Sequence, residues 1–288
     1  MWKTQTMAVT GRGHIQKGLP CQDRVCAMEE NGVTVIALAD GAGSAALSQE
    51  GAERAVKTVC RQLCARFDEL YDAPGPQMVR YVLLGAVREA VAARAAELGA
   101  ELRQLASTLL AVAVKDERFL LLHVGDGVIG CRKAGKLRTL SAPENGEFSN
   151  TTVFVTSNAA LTRAVVRKGK QTGVEGFVLM SDGCETALYQ KQRQHLAPVL
   201  HKTLERCQLF TPAAAAETLR PLLACAVAGR TFDDCSLAMM TRPVGRFGDW
   251  ARMQPRQRAA LLGVTTQNKA KRRRQIRKAA ARCLGKST

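Results

Sequence analysis

The chain has 288 residues, 46% apolar but only 5% aromatic, which is enough for one sizeable, mainly aliphatic core. No apolar run reaches the length of a membrane span, and Met1-Trp2-Lys3-Thr4-Gln5-Thr6 lacks the charged-then-apolar pattern of a secretory leader, so a cytoplasmic protein is expected. Of the net charge of +17, the stretch 243–288 carries +12, with thirteen Lys or Arg against the single acid Asp249. A nearly balanced domain over 1–242 and a basic C-terminal segment over 243–288 are therefore expected, the latter helical or partly disordered.

In chain order, the β-rich run Val33–Ala39 stops at Asp40-Gly41. Ala45–Phe67 reads as a helix, because Ala46, Gln49, Ala52, Ala55, Val56, Val59 and Leu63 recur at helical spacing. Met78–Leu102 reads as a second helix after the break Pro74-Gly75-Pro76. Short strand signals follow at Thr108–Val114, Arg118–Val124 and Val128–Arg132, then a hairpin turn at Ala134-Gly135-Lys136 leading to Leu137–Leu140. Thr152–Thr156 and Gly176–Met180 are further strands, helices are expected over 191–207 and 212–227, and Cys235–Met240 is the last strand. Long helices inserted among antiparallel strands, with few strand–helix–strand repeats, point to an α+β fold in which helices cover a mainly antiparallel sheet pair. Beyond it, Asp249–Leu262 and the basic stretch Gln267–Cys283 have helical patterns.

None of the ten cysteines forms a Cys-x-x-Cys pair, and Cys60 and Cys64, one helical turn apart, have no nearby histidine to complete a zinc site. They read as small buried hydrophobes in a reducing compartment. The chemistry lies instead in aspartates at strand ends. Asp40 and Asp182 each follow an apolar β-rich run and precede glycine, while Asp23 and the pair Asp233-Asp234 stand in short acidic motifs. A carboxylate at the end of a buried strand is held rigidly, and the glycine lets the backbone turn away. Several such carboxylates on one rim suit a hard divalent cation such as magnesium or manganese. One Asp-Gly alone, such as that in Gly125-Asp126-Gly127, is ordinary turn chemistry; the combination is what points to a site.

Six segments in order resemble the metal-dependent protein phosphatases of type 2C, in their bacterial branch. They are Gly13-His14-Ile15 with Pro20-Cys21-Gln22-Asp23, Ala39-Asp40-Gly41-Ala42-Gly43, Ser107-Thr108-Leu109, Val124-Gly125-Asp126-Gly127, Leu179-Met180-Ser181-Asp182-Gly183-Cys184 and Phe232-Asp233-Asp234-Cys235-Ser236-Leu237. The resemblance spans about Thr4 to Thr241 and implies a four-layer α-β-β-α sandwich of two mainly antiparallel sheets flanked by helices. It implies two Mg²⁺ or Mn²⁺ ions, with a third in some members. By the same resemblance Asp40 bridges two metals, the Gly41 carbonyl adds a ligand, Asp182 and Asp233 hold one metal, Asp23 acts through metal-bound water, and Asp126 helps hold the third. Gly146–Thr152 also resembles the bacterial branch, as a surface hairpin or a lid.

Three departures bear on rate and metal preference. Gln22 stands where many relatives have glutamate, Ala42 stands where many have a proton-donating histidine, and the usual phosphate-binding arginine has only Arg12, His14 and Lys17 as nearby candidates. His14 is the candidate to bind phosphate or protonate the leaving oxygen, against the plainer reading of a loop histidine bound to a backbone carbonyl. His123 reads as structural, and His195 and His201 as surface residues of a helix.

The expected reaction is hydrolysis of phosphoserine or phosphothreonine in proteins by a hydroxide activated between two metals, needing no cysteine nucleophile. The resemblance implies a phosphorylated protein substrate and a cognate serine/threonine kinase as partner. The rival readings are a catalytically weak phosphatase-like binding module, suggested by Gln22 and Ala42, and a scaffold that binds nucleic acid or another polyanion. Beside the phosphatase reading too, the basic run Lys269–Lys278 is expected to meet an acidic protein surface or a polyanion.

Overall fold

The computed structural model describes residues 2–143 and 152–242. The expected helices beyond 243 and nearly all of the Gly146–Thr152 segment lie outside the described residues. Two five-stranded sheets form the centre. One runs β2 (Arg24–Glu30), β3 (Val33–Ala39), β4 (Leu109–Lys115), β5 (Arg118–Val124) and β8 (Val165–Lys170). The other runs β1 (Lys3–Val9), β12 (Cys235–Thr241), β9 (Val174–Met180), β6 (Val128–Lys133) and β7 (Lys136–Ser141). All neighbouring strands in both sheets are antiparallel.

The period of two along each central strand sorts side chains into layers. Val33, Val35, Ala37 and Ala39 of β3 pack with α2 (Ser48–Asp72) and α3 (Pro76–Glu97), while Ile36 and Leu38 face the other sheet. On β12, Cys235, Leu237 and Met239 pack with α6 (Val199–Leu209) and α7 (Pro212–Pro221), and Ala238 and Met240 meet Ile36 and Leu38 between the sheets. The result is the expected α+β architecture of four layers, α-β-β-α. No helix among the described residues is long and apolar enough to cross a membrane.

Smaller elements complete the fold: α1 (Arg12–Lys17), α4 (Ala160–Arg163), α5 (Glu185–Leu188) and the hairpin β10 (Tyr189–Gln190) with β11 (His195–Leu196). α1 replaces the loop expected around His14. Its end is a Schellman turn: Gly18 is left-handed at φ 66°, its N–H donates to Ile15 O, and the Leu19 N–H donates to His14 O.

Several boundaries differ from the sequence reading. The first helix runs over 48–72 rather than 45–67, and the second over 76–97 rather than 78–102. Thr152–Thr156 is not a strand; its described residues form a loop tied to the sheet through the Val155 N–H and Ser107 O. The helix expected over 191–207 starts only at Val199, after the β10–β11 hairpin, so His195 sits in a strand and only His201 is helical. α7 gives way after Pro221, which has no N–H for the helical ladder, to a π-helical turn over Leu222–Val227.

Phe177 of β9 is fully buried between the sheets, with its ring centroid 5.7 Å from that of Trp2 and 5.4 Å from that of Phe119. Phe177→Ala is expected to cost about 3–5 kcal/mol by denaturant unfolding. A loss below about 1 kcal/mol would contradict this account of the central layer.

Candidate active site

The aspartates singled out in the sequence collect at one end of the sandwich. Asp40 follows β3, and its backbone is strapped to the segment before β4: Asp40 N–H donates to Thr108 Oγ1 at 2.9 Å and Thr108 N–H to Asp40 O at 2.8 Å. Gly41 bridges Ser107, and Ala42 N–H donates to Ala106 O. The Ser107-Thr108 motif thus fixes the loop that carries Asp40. Asp182 follows β9, where Ser181 N–H donates to Ser236 O at the start of β12 and Ser236 N–H donates to Ser181 Oγ. Gly183 passes so close to that strand that a Cβ would stand 1.9 Å from Asp234 O, a position only glycine fits. Asp233 and Asp234 immediately precede β12 and Asp23 immediately precedes β2, while Asp126 sits in the turn between β5 and β6.

Asp40, Asp126, Asp182 and Asp233 line one cleft of about 170 Å³, with Gly41, Ala42, Gly43, Thr108, Thr152 and Phe154. No Lys, Arg or His is among these lining residues. Asp233 is exposed at the rim, Asp40, Asp126 and Asp182 are partly buried, and Asp23 lies buried behind them at 1% exposure. Thr152 donates its hydroxyl to Asp126 Oδ2 at 2.6 Å.

The electrostatics follow from crowding acids out of water. Burial raises the Asp40 carboxyl well above the usual range, and the charges of Asp23, Asp182 and Asp233 push it further. Asp23 is pushed up to about 7, by burial first and by Asp234 as well, with the hydroxyls of Ser236 and Ser181 opposing. Asp182 is also raised, by burial first; its contact with Asp40 opposes the shift, and the charges of Asp126 and Asp233 add to it.

These residues fit divalent cations. Oδ1 of Asp182 and Oε1 of Gln22 are buried with no hydrogen-bond partner, and both carboxylate oxygens of Asp23 are buried with the Ser181 and Ser236 hydroxyls near but outside hydrogen-bond geometry. Such orphaned oxygens facing like charges are what a cation would satisfy. Among the described residues, no group of three or more acidic, imidazole or thiol side chains is placed to hold a metal ion directly. Hard cations that keep several waters and take few protein oxygens do not require such a group.

Asp234, to which the sequence reading gave no role, points away from the cleft. Its Oδ1 accepts from Gly11 N–H at 2.6 Å, and its Oδ2 accepts from Gln22 N–H at 2.6 Å and from His14 Nδ1 at 2.9 Å. A carboxylate only accepts, so Nδ1 of His14 carries a proton, and among the described residues Nε2 has no hydrogen-bond partner. Arg12 is engaged with Thr231 O and the Phe232 ring, and Lys17 is exposed on α1. The position of Ala42 is packed against Ala45, Ala106 and Phe154 and offers no proton donor. His123 is buried, its pKa pushed down to about 4 by burial, with Nε2 facing Gly125 O and Nδ1 facing the Ser141 hydroxyl. This satisfied histidine is part of the support for the turn that carries Asp126.

The fold and site can be set beside known proteins. A family model for protein phosphatase 2C matches residues 10–224. The serine/threonine-protein phosphatase 3 of Escherichia coli (strain K12) is 27% identical over 262 residues, covering 83% of this chain and 97% of its own. The serine/threonine phosphatase Stp1 from Staphylococcus aureus shares the fold at a TM-score of 0.57 and 13% identity, over 85% of this chain and 96% of its own. The catalytic domain of the serine threonine protein phosphatase PstP, solved with two manganese ions, does so at a TM-score of 0.56 and 17% identity, over 85% and 100%. With the family model matching most of its length, this chain belongs to the protein phosphatase 2C family.

Proposed function

We propose that this phosphatase hydrolyses phosphoserine and phosphothreonine in proteins, using two Mg²⁺ or Mn²⁺ ions in the aspartate cleft. The observation that carries this reading is the cleft itself: four carboxylates from distant segments, with no cationic side chain among its lining residues. The E. coli relative is named a serine/threonine-protein phosphatase and the PstP structure holds two manganese ions, which supports both the substrate class and the cofactor. The rival readings as a binding module or a polyanion scaffold gain nothing from the family match.

In this proposal Asp40, the Gly41 carbonyl, Asp182 and Asp233 would hold the two ions, Asp126 would help hold a third, and the buried Asp23 would act through water. When bound, the ions supply Lewis acidity and a water that loses its proton near neutral pH. The remaining work falls to the chain. Asp234 holds the His14 ring through Nδ1–H, and in its doubly protonated form His14 would give its Nε2 proton to the departing seryl or threonyl oxygen, regaining one from water. Asp234 is a positioning residue for that step. A cysteine nucleophile is not needed: Cys184 and Cys235, the thiols beside Asp182 and Asp234, are fully buried, and neither lines the cleft. The eight described cysteines are free thiols, in keeping with a cytoplasmic setting, where an opposing serine/threonine kinase or its targets would be the substrates.

Three measurements test this. Asp40→Asn and Asp182→Asn should each lower Mn²⁺-dependent phosphopeptide hydrolysis by on the order of 100-fold or more; wild-type activity in either would refute the site assignment. His14→Gln should slow a phosphothreonine peptide far more than p-nitrophenyl phosphate, whose phenolate leaves without a proton. An equal loss on both would assign His14 to phosphate binding instead.

Stability offers the third test. The Asp40 pKa is raised in the folded state, so in the metal-free protein its stabilising contribution is present below about pH 3.9 and is lost as the pH rises. Metal-free Asp40→Asn should therefore melt higher than wild type at pH 8, with the gap closing toward pH 4, and should lose the Mn²⁺-induced rise in Tm. A metal-free variant that melts lower than wild type at pH 8 would contradict the repulsion argument.

A further inference from the structure

Hydrolysis leaves unexplained a basic and apolar face beside the cleft. α1 buries none of its side chains. Ile15 is 64% exposed, Leu19 43% and Phe232 64%: three large apolar side chains in water on two short segments that are joined by the Gly13–Phe232 backbone hydrogen bond. The backbone beneath them is held firmly. Gly13 N–H donates to Phe232 O at 2.8 Å, Gly11 N–H to the buried Asp234, and the Schellman turn fixes Leu19 on His14 O. The Arg12 guanidinium stands 4.7 Å from the centroid of the Phe232 ring. Lys17 is exposed, and α1 contains no acidic residue. Phe232 adjoins Asp233, which lines the cleft, so this face begins where the reaction site ends.

We propose that Arg12, Ile15, Lys17, Leu19 and Phe232 form the docking surface for the stretch of phosphoprotein that flanks the phosphorylated residue, and that it selects apolar residues interspersed with acidic ones. This rests on the phosphatase reading above. Charge chooses the occupant. A second copy seated on the same patch would set Arg12 and Lys17 against their own counterparts, with no acidic residue on α1 to offset them. A substrate segment whose phosphate sits in the cleft lays its flanking residues over this face, and acidic ones there meet Arg12 and Lys17 with opposite sign. The exposed Ile15, Leu19 and Phe232 then gain cover that water denies them.

The test uses the full-length chain with Mn²⁺ and two phosphothreonine peptides, one flanked by Leu and Glu and one by Ser and Lys. Ile15→Ser combined with Leu19→Ser should raise KM for the Leu/Glu peptide by about tenfold or more. Its kcat on that peptide and its kcat/KM on p-nitrophenyl phosphate should stay unchanged. Lys17→Glu should weaken preference for the Leu/Glu peptide over the Ser/Lys peptide. Unchanged KM for both peptides would overturn the proposal, as would an equal loss on p-nitrophenyl phosphate. So would a dimer in sedimentation that the double variant dissolves while peptide KM stays put. If wild type fails to hydrolyse p-nitrophenyl phosphate, the phosphatase reading falls. Docking is then decided by fluorescence anisotropy of the labelled Leu/Glu peptide: weaker binding to the double variant supports it, and equal binding ends it.

Discussion

Carboxylates crowded out of water repel one another, and this fold is organised so that they must stay together. The two sheets are locked by aliphatic layers on both faces, and those layers fix the strand ends on which Asp23, Asp40, Asp182 and Asp233 stand. Burial and mutual charge raise Asp23, Asp40 and Asp182 above the ordinary carboxylate range. Such an arrangement is costly without a counter-charge and becomes favourable with one, which couples cation binding to stability. The core is stable enough to hold an end that is locally unfavourable, a division of labour common at functional sites.

The pair Asp233-Asp234 shows how one sequence feature serves two ends. At the start of a strand, consecutive side chains point to opposite sides. Asp233 faces the cleft, while Asp234 turns to the other side and gathers Gly11, His14 and Gln22 onto its two oxygens. The closing motif therefore holds the opening motif in place, although the two lie more than 200 residues apart in sequence. The position of Ala42 is packed in a small apolar cluster, and the ring of His14, on another segment, is oriented by Asp234 without lining the cleft.

The central strands were legible because their side chains are buried on both faces or alternate cleanly: Val33–Ala39 is a strand at the residues read from its pattern. The Ala134-Gly135 turn was legible too, and both residues adopt positive φ as a tight hairpin demands. The edge strands β1, β2 and β8 were not, because each leaves much of its length partly exposed and so carries little apolar alternation. Asn31-Gly32 was the available signal for the β2–β3 hairpin, with φ of 53° and 74°. α1 was invisible for a different reason: six residues with no buried face leave no periodic trace. Asp40 and Asp182 could be named from their strand-end context, since Asp-Gly after an apolar run is a local pattern, whereas the roles of Asp23, Asp126 and Asp233 came from the family resemblance. The role of Asp234 could not be read either way, because it depends on partners brought in by the tertiary fold.

The central claim is that the crowded aspartates form one cation site. The most direct measurement is a Mn²⁺ titration of the full-length protein followed by electron paramagnetic resonance, counting bound ions per chain. The account predicts saturable binding of at least two ions, sharply weakened by Asp40→Asn and by Asp182→Asn. Absence of saturable binding to the wild type, or undiminished binding to both variants, would contradict it.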